Sequence, residues 1–383
     1  MIAKDRLAEW LSRLVQIPSV APDQAGPRSG TPGEARLAGE IARWFSEYGG
    51  EVYTEEVFPD RPNVYGLWRG RTDRWAAVDA HMDTVGVEQM TDDPFSGRSQ
   101  NGRVYGRGAV DTKATLAVVL ATLEAMHQAG HTPKPNLLIA ATADEEVGAR
   151  GALVFAQWVR DKGLSIDQLM VAEPTMCGPV YGHKGLSRLE FRVKGVSAHS
   201  SQPQLGQNAV VVAAHLVLAL EEEHQRLLAT PPETDLGPGT LTVSVINGGH
   251  GLNVVPDTCT VAIDRRVVAG EDPTEVSAAL YDLAQRECPL PVTVDVLLEH
   301  PAFLQPPDTP WMRQLAEWSG DEPTIAPYGT NAWSYGGVAS ECVVLGPGSI
   351  DQAHSDEEWV AIAELEKLAD TYSRWWGIRS HSS

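Results

Sequence analysis

The chain has 383 residues, 43% hydrophobic and 21% charged, a globular composition long enough for two domains. Its formal charge of −21 argues against nucleic acid and anionic membrane as partners, since both need a basic footprint; a small anionic substrate, met by one local arginine, is still compatible. Cys177, Cys259, Cys288 and Cys342 are scattered with no CxxC spacing, which fits a reducing cytoplasm and neither a disulfide framework nor a thiolate metal site.

The opening segment "MIAKDRLAEWLSRLVQIPSV" is broken by charges and reads as an amphipathic helix rather than a signal peptide. "RWAAVDA" (74–80) is strand-like, and His81 and Asp83 follow it directly, two positions apart and so on one side of extended backbone. "GRGAVDTK" (106–113) places Asp111 just before a helical pattern, "TKATLAVVLATLEAMHQAG" (112–130), that stops at Gly130. "PNLLIAATA" (135–143) runs into Asp144, Glu145 and Glu146, and "DQLMVAE" (167–173) ends on Glu173. Strands alternating with helices predict an α/β domain with a mostly parallel sheet.

The pattern changes after "YGHKG" (181–185). "SRLEFRVKG" (187–195) and "CTVAIDRRV" (259–267) alternate apolar and polar residues, as antiparallel strands covered on one face do. Helices are expected near 207–229 and over 273–287. The apolar run "AVVVAAHLVLAL" (209–220) is too short to span a bilayer. A small α+β domain is therefore expected at 186–298, inserted between 1–185 and 299–383 of the first domain. "CVVLGPG" (342–348) and a final helix over 357–376 return to the α/β style, with His354 between them in "GSIDQAHSDEE".

Each of these acidic or histidine residues has an ordinary explanation when taken singly. Asp111 could cap the helix, Glu145–Glu146 could be a solvated acidic patch, Glu173 before Pro174 a turn residue and His354 an idle surface group. One placement explains all of them together. Ligands in open α/β sheets gather outside the carboxyl ends of the strands, and that is where every one of these residues falls. Two histidines and three carboxylates without cysteine suit a borderline divalent ion such as zinc, with cobalt or manganese as alternatives. Five ligands and a spare glutamate suggest two ions sharing a carboxylate, a recurrent hydrolytic arrangement, with Glu145 or Glu146 as the base. Other chemistries lack their motifs. "GRG" has no remaining glycine of a dinucleotide fingerprint, and neither GxxxxGK[ST] nor G-x-S-x-G occurs.

The series "HMDT", "GRGAVDTK", "ADEEVGARG", "AEPT" and "GPGSIDQAHSDEE" resembles, in order and across essentially the whole chain, the co-catalytic zinc aminoacylase/carboxypeptidase family. That family includes acetylornithine deacetylase, succinyl-diaminopimelate desuccinylase, aminoacylase and carboxypeptidase G. The resemblance implies that His81 and Glu173 bind one zinc and Glu146 and His354 the other, with Asp111 bridging. Glu145 would be the general base, Asp83 would orient the His81 ring, and the Asp111–Thr112 peptide would be cis. The insert would be a ferredoxin-like lid and dimerisation domain. Its His199 would reach the partner subunit's site to stabilise the oxyanion, and Asn253 and Arg266 would grip the substrate carboxylate. Arg265 is the competing clamp, since an arginine is the natural bidentate carboxylate binder. Gly346 and Gly348 would let backbone approach the substrate.

One departure stands out. Where many deacylases of this family have an aspartate in a Gly-Thr-Asp segment, this chain reads "YGTNAWSYGG", with Asn331. The change is expected to remove a negative charge near a substrate side chain, which weighs against a cationic substrate such as acetylornithine. The resulting expectation is a cytoplasmic homodimeric amidohydrolase that cleaves the amide bond of an N-acyl amino acid with a metal-activated water. The rivals are an exopeptidase with the same machinery and, more distantly, a binding protein on a disused enzyme fold.

Overall fold

The computed structural model describes residues 2–378 and divides into two compact units. The first comprises the chain up to Tyr181, Gln305–Thr324 and the segment from Thr330 onward; the second is Gly182–Leu304 with Ile325–Gly329.

In the first unit four parallel strands form the sheet centre in the order Asn136–Thr142, Trp75–His81, Ile166–Val171, Ala339–Val344. Every residue of Trp75–His81 and of Asn136–Thr142 is buried, as expected for strands covered on both faces. Register pairs Val78 with Ile139 on one side and Met170 on the other. An antiparallel pair, Glu51–Phe58 and Arg61–Trp68, extends the sheet beyond Asn136–Thr142; the sequence reading did not foresee it.

Alternation along the strand sorts its neighbours. Ala76, Val78 and Ala80 face a cluster that holds the helices Lys4–Val15, Ala35–Glu47, Lys113–Ala129 and Ile362–Trp375. Ala77, Asp79 and His81 point the other way, toward the face where Phe155 and Trp158 of the helix Arg150–Asp161 pack on Tyr65 with ring centroids 5.2 and 4.7 Å apart. The Lys113–Ala129 helix is buried along most of its length and ends on Gly130 at φ +63°, the left-handed cap that glycine supplies without penalty. The final helix begins at Ile362 rather than 357. Trp359–Ala361 is instead a strand paired with Arg103–Tyr105, so its backbone polar groups are spent sideways before the helix can start.

The second unit runs strand–helix–strand–strand–helix–strand: Gly185–Lys194, Ala209–Ala229, Thr240–Gly248, Thr258–Val267, Pro273–Glu287 and Val292–His300. Its antiparallel sheet, in the order third strand between second and first and the fourth outside the first, has the ferredoxin-like arrangement. Residues alternate between buried and half-buried along Thr258–Val267, and Phe191, Leu216, Val261 and Leu280 form part of the unit's core. Asn208 and Asp272 cap the two helices through their side chains. Among the described residues no helix is long and apolar enough to cross a membrane.

Candidate metal centre

The parallel strands end together, and the functional side chains leave from those ends. His81 is the last residue of its strand, Glu173 lies two beyond Val171, and Glu145 and Glu146 follow Thr142 after a two-residue turn. Asp111 precedes the Lys113–Ala129 helix but does not cap it: the N-cap position belongs to Thr112, and the Asp111–Thr112 peptide is cis. His354 sits in the loop after Ala339–Val344 at φ +58°.

Two sets of ligand atoms result, each lying within 4.8 Å of one another: His81, Asp111 and Glu173, and Asp111, Glu146 and His354. Asp111 belongs to both. Its Oδ1 is 3.0 Å from His81 Nε2 and its Oδ2 is 3.3 Å from His354 Nε2, so the carboxylate spans the two histidines. Glu146 Oε2 is 3.2 Å from His354 Nε2.

The electrostatics are those of an anionic cluster. Burial pushes the Glu173 and Glu145 carboxyls well above their ordinary range, and neighbouring carboxylates add to the shift. Glu146 is pushed up to about 7 by burial and by Asp111. For Asp111 burial acts in the same direction, but hydrogen bonds from His354 and His81 outweigh it and hold the group low. His354 is raised to about 10 by its bonds to Asp111 and Glu146. A divalent cation reverses this balance, because it favours every carboxylate anion and neutral imidazole at once. With only oxygen and imidazole donors, grouped three and three around a shared carboxylate, the residues present fit two such ions.

Asp83 is fully buried. Its carbonyl oxygen lies 3.0 Å from His81 Nδ1 and its carboxylate 3.5 Å away, while the two carboxylate oxygens each accept an amide at 3.1 Å, from Glu145 and Glu146. Asp83 therefore joins the histidine strand to the glutamate turn. Next to it Arg61 bonds Glu34 at 2.7 Å and Asp144 at 3.1 Å, and Asp144 is at φ +70°.

The glycines of "GPG" have a packing reason. A Cβ on Gly346 would lie 2.5 Å from the Glu173 carbonyl oxygen, and one on Gly348, at φ +79°, would lie 2.5 Å from Val110. Both glycines thus let backbone close on the elements carrying Glu173 and Asp111.

Asn331 requires a correction to the expectation. It is 2% exposed, and its Nδ2 donates to Asp79 Oδ2 at 3.0 Å and to Thr142 Oγ1 at 3.2 Å. Asp79 also accepts from Thr142 Oγ1 at 2.7 Å and from the Tyr335 hydroxyl at 2.6 Å. The carboxylate lost at 331 has a counterpart at 79, both inside the protein, so the substitution does not report on the charge of a substrate side chain.

The expected lid residues lie in the second unit. His199 is exposed, and its Nδ1 accepts from the Ser201 amide at 3.1 Å and hydroxyl at 2.8 Å. Asn253 is exposed and its carbonyl accepts from Ser200. Arg265 is 3% exposed and committed to Glu271 and to the Arg266 carbonyl. Arg266 is half-buried, 2.7 Å from Asp264, and is the guanidinium of the two that reaches solvent.

The sequence reading missed Asp79, Arg107 and Glu358. Arg107 and Glu358 are each 1% exposed and 2.7 Å apart. Arg107 lies inside a quoted motif, yet nothing local distinguishes Glu358 from Glu357.

Comparison with known proteins shows the family and the fold. The profile of Peptidase family M20/M25/M40 matches residues 77–377. An acetylornithine deacetylase of Myxococcus xanthus is 32% identical over 311 residues, 78% of each chain. A tripeptidase from Staphylococcus aureus superposes with a TM-score of 0.78 over 99% of each chain at 21% identity. The Bacillus subtilis YXEP protein, described as a dinuclear metal-binding peptidase, gives 0.68 over 98% and 99% at 15% identity. Between them these comparisons cover the strand ends, the helix after Asp111 and the His354 loop, and the chain belongs to peptidase family M20/M25/M40.

Proposed function

We propose that this protein is a two-metal amidohydrolase that removes the acyl group from an N-acyl amino acid. The observation that carries this reading is the pair of three-residue ligand sets sharing Asp111. His81, Asp111 and Glu173 would hold one divalent ion and Asp111, Glu146 and His354 the other, zinc being the best match to the donors, with cobalt or manganese as alternatives. Two such ions supply an acidified water and polarise the amide carbonyl.

The protein's own groups do the rest. Glu145 belongs to neither ligand set, and its amide is held by Asp83, whose two carboxylate oxygens are taken up by the Glu145 and Glu146 amides. It takes the proton from the attacking water and returns it to the leaving amine. Arg266, with Asn253, is the clamp for the substrate carboxylate, and His199 the donor to the oxyanion, acting from the partner subunit. Homodimer formation is supported by the second unit's own surface. Val211 and Leu218, seven apart on one helix, are 52% and 62% exposed, and Val245 and Ile246 on the edge strand are 54% and 52% exposed. Free, buried cysteines fit a cytoplasmic location.

The test is amine release from N-acetyl and N-succinyl amino acids and from dipeptides, by metal-free protein and again after zinc, cobalt or manganese is added. Metal-dependent cleavage of an acylated amino acid is expected. Cleavage of dipeptides alone would move the protein to an exopeptidase, and no cleavage by protein holding two ions would refute the deacylase reading.

A further inference from the structure

Glu358 lies outside both ligand sets and faces the loop that delivers Asp111. Its Oε2 accepts from Arg107 Nη1 at 2.7 Å and from the Gly108 amide at 3.1 Å; its Oε1 accepts from the Val110 amide at 2.9 Å and the Asp111 amide at 3.2 Å. Arg107, Gly108, Val110 and Asp111 thus turn donors toward one buried carboxylate, much as a backbone nest holds an anion. The main chain is tied as well, the Gly106 amide donating to the Glu358 carbonyl at 3.0 Å. Arg107 also reaches the Ser355 carbonyl at 3.4 Å and the Gly86 carbonyl at 3.2 Å.

Ser355 directly follows His354, and His354 differs from the other ligands. It is 52% exposed and holds a left-handed backbone conformation that a non-glycine residue keeps only where its surroundings fix it. Of the two ligand sets, the one with Glu146 and His354 takes two members from the segments joined by Arg107 and Glu358; the one with His81 and Glu173 takes only Asp111.

We propose that Glu358, held by Arg107, is a positioning residue that sets His354 against Asp111 and so determines affinity for the ion bound by Asp111, Glu146 and His354, while leaving the other ion largely to His81 and Glu173. The inference rests on the two-metal reading. Residues that orient ligands in this way commonly change metal affinity about 10–100-fold.

The experiment is calorimetric titration of metal-free protein with zinc, together with thermal unfolding. Wild type is expected to take up two ions, and Glu358→Gln to take up one with affinity within about threefold of wild type and the second about 10–100-fold more weakly. In a His354→Ala background the Glu358→Gln change should have little further effect, because both act on one contact. Two ions bound as in wild type, or equal weakening of both with a lowered melting temperature, would overturn the proposal and leave Glu358 a purely structural residue. Should Glu358→Gln fail to fold, Arg107→Lys keeps the charge and every backbone donor while losing the fork, and the same selective weakening is expected; equal weakening again overturns the proposal. A wild-type protein that takes up a single ion refutes the two-metal reading itself, and this inference with it.

Discussion

Asn331→Asp is the change that best tests the account of the buried pair behind the His81 strand. The amide that donates to Asp79 at 3.0 Å would become a second carboxyl in a site where burial already pushes Asp79 up. Two carboxylates at that separation do not both ionise, so the folded protein must keep one additional proton. An aspartate in the unfolded chain ionises near 3.9, and holding its proton at pH 7 costs about 1.4 kcal/mol per pH unit, or about 4 kcal/mol. The sign follows from a folded pKa raised above the unfolded one. The penalty is absent below about pH 4, grows as pH rises, and is smaller by about 3 kcal/mol at pH 5 than at pH 7. A protonated carboxyl at position 331 still donates to Asp79, so the shape of the network persists at low pH. Urea unfolding of variant and wild type, compared at pH 5 and pH 7, reads the difference. The exchanged double variant Asp79→Asn/Asn331→Asp, which restores one carboxyl and one amide, should recover most of the loss at pH 7. A variant as stable as wild type at pH 7, or one with the same deficit at both pH values, would refute the reasoning.

Glu145→Gln should keep both metal ions and lose about 10²–10⁴ of turnover, the usual contribution of a general base; elemental analysis beside the steady-state rate checks it, and substantial residual activity would remove Glu145 from the role. Mixing His199→Ala with Glu145→Ala protein should restore activity through hybrid dimers, each carrying one intact composite site, and no recovery after confirmed subunit exchange would count against His199 acting from the partner subunit. His183 is buried and held down at about 4 by that burial, below its unfolded value of about 6.5. The unfolded chain therefore takes up the proton first, and stability falls by about 3 kcal/mol as pH drops from 6.5 to 4. A His183→Gln variant should lack that share of the loss, and identical pH profiles would show that His183 does not stay neutral.

What was legible in the sequence followed from chain geometry. Buried parallel strands read as unbroken apolar runs, so His81, Glu145, Glu146 and Glu173 were conspicuous as polar residues arriving where such a run stops. Glu358 was not, because its donors lie 247–251 positions away and its own neighbourhood, "SDEE", reads as solvated surface. Asn331 misled for a related reason. Its partner Asp79 is 252 positions away, and an amide opposite a buried carboxylate cannot be told from an amide facing a ligand by local pattern. The hairpin strand Glu51–Phe58 was missed because none of its residues is buried and its sequence, "EVYTEEVF", carries the apolar residues in two adjacent pairs rather than in alternation.

The strand order also has a consequence for synthesis. Ile166–Val171 pairs on one side with a strand made earlier and on the other with Ala339–Val344, which follows the whole second unit in the chain. At translation rates of about 5–20 residues per second, that inner edge waits roughly ten to thirty seconds for its partner. Meanwhile a nascent chain holds His81, Asp111 and Glu173 but not His354, and it exposes an apolar strand edge of the kind that recruits other chains. The second unit, whose sheet closes on strands from within Gly185–His300, can complete its own pairing during that interval. The ribosome is thus the place where this architecture is most vulnerable to aggregation, and a chaperone that shields the Met170–Val171 edge would act before the ligand set that needs His354 can form.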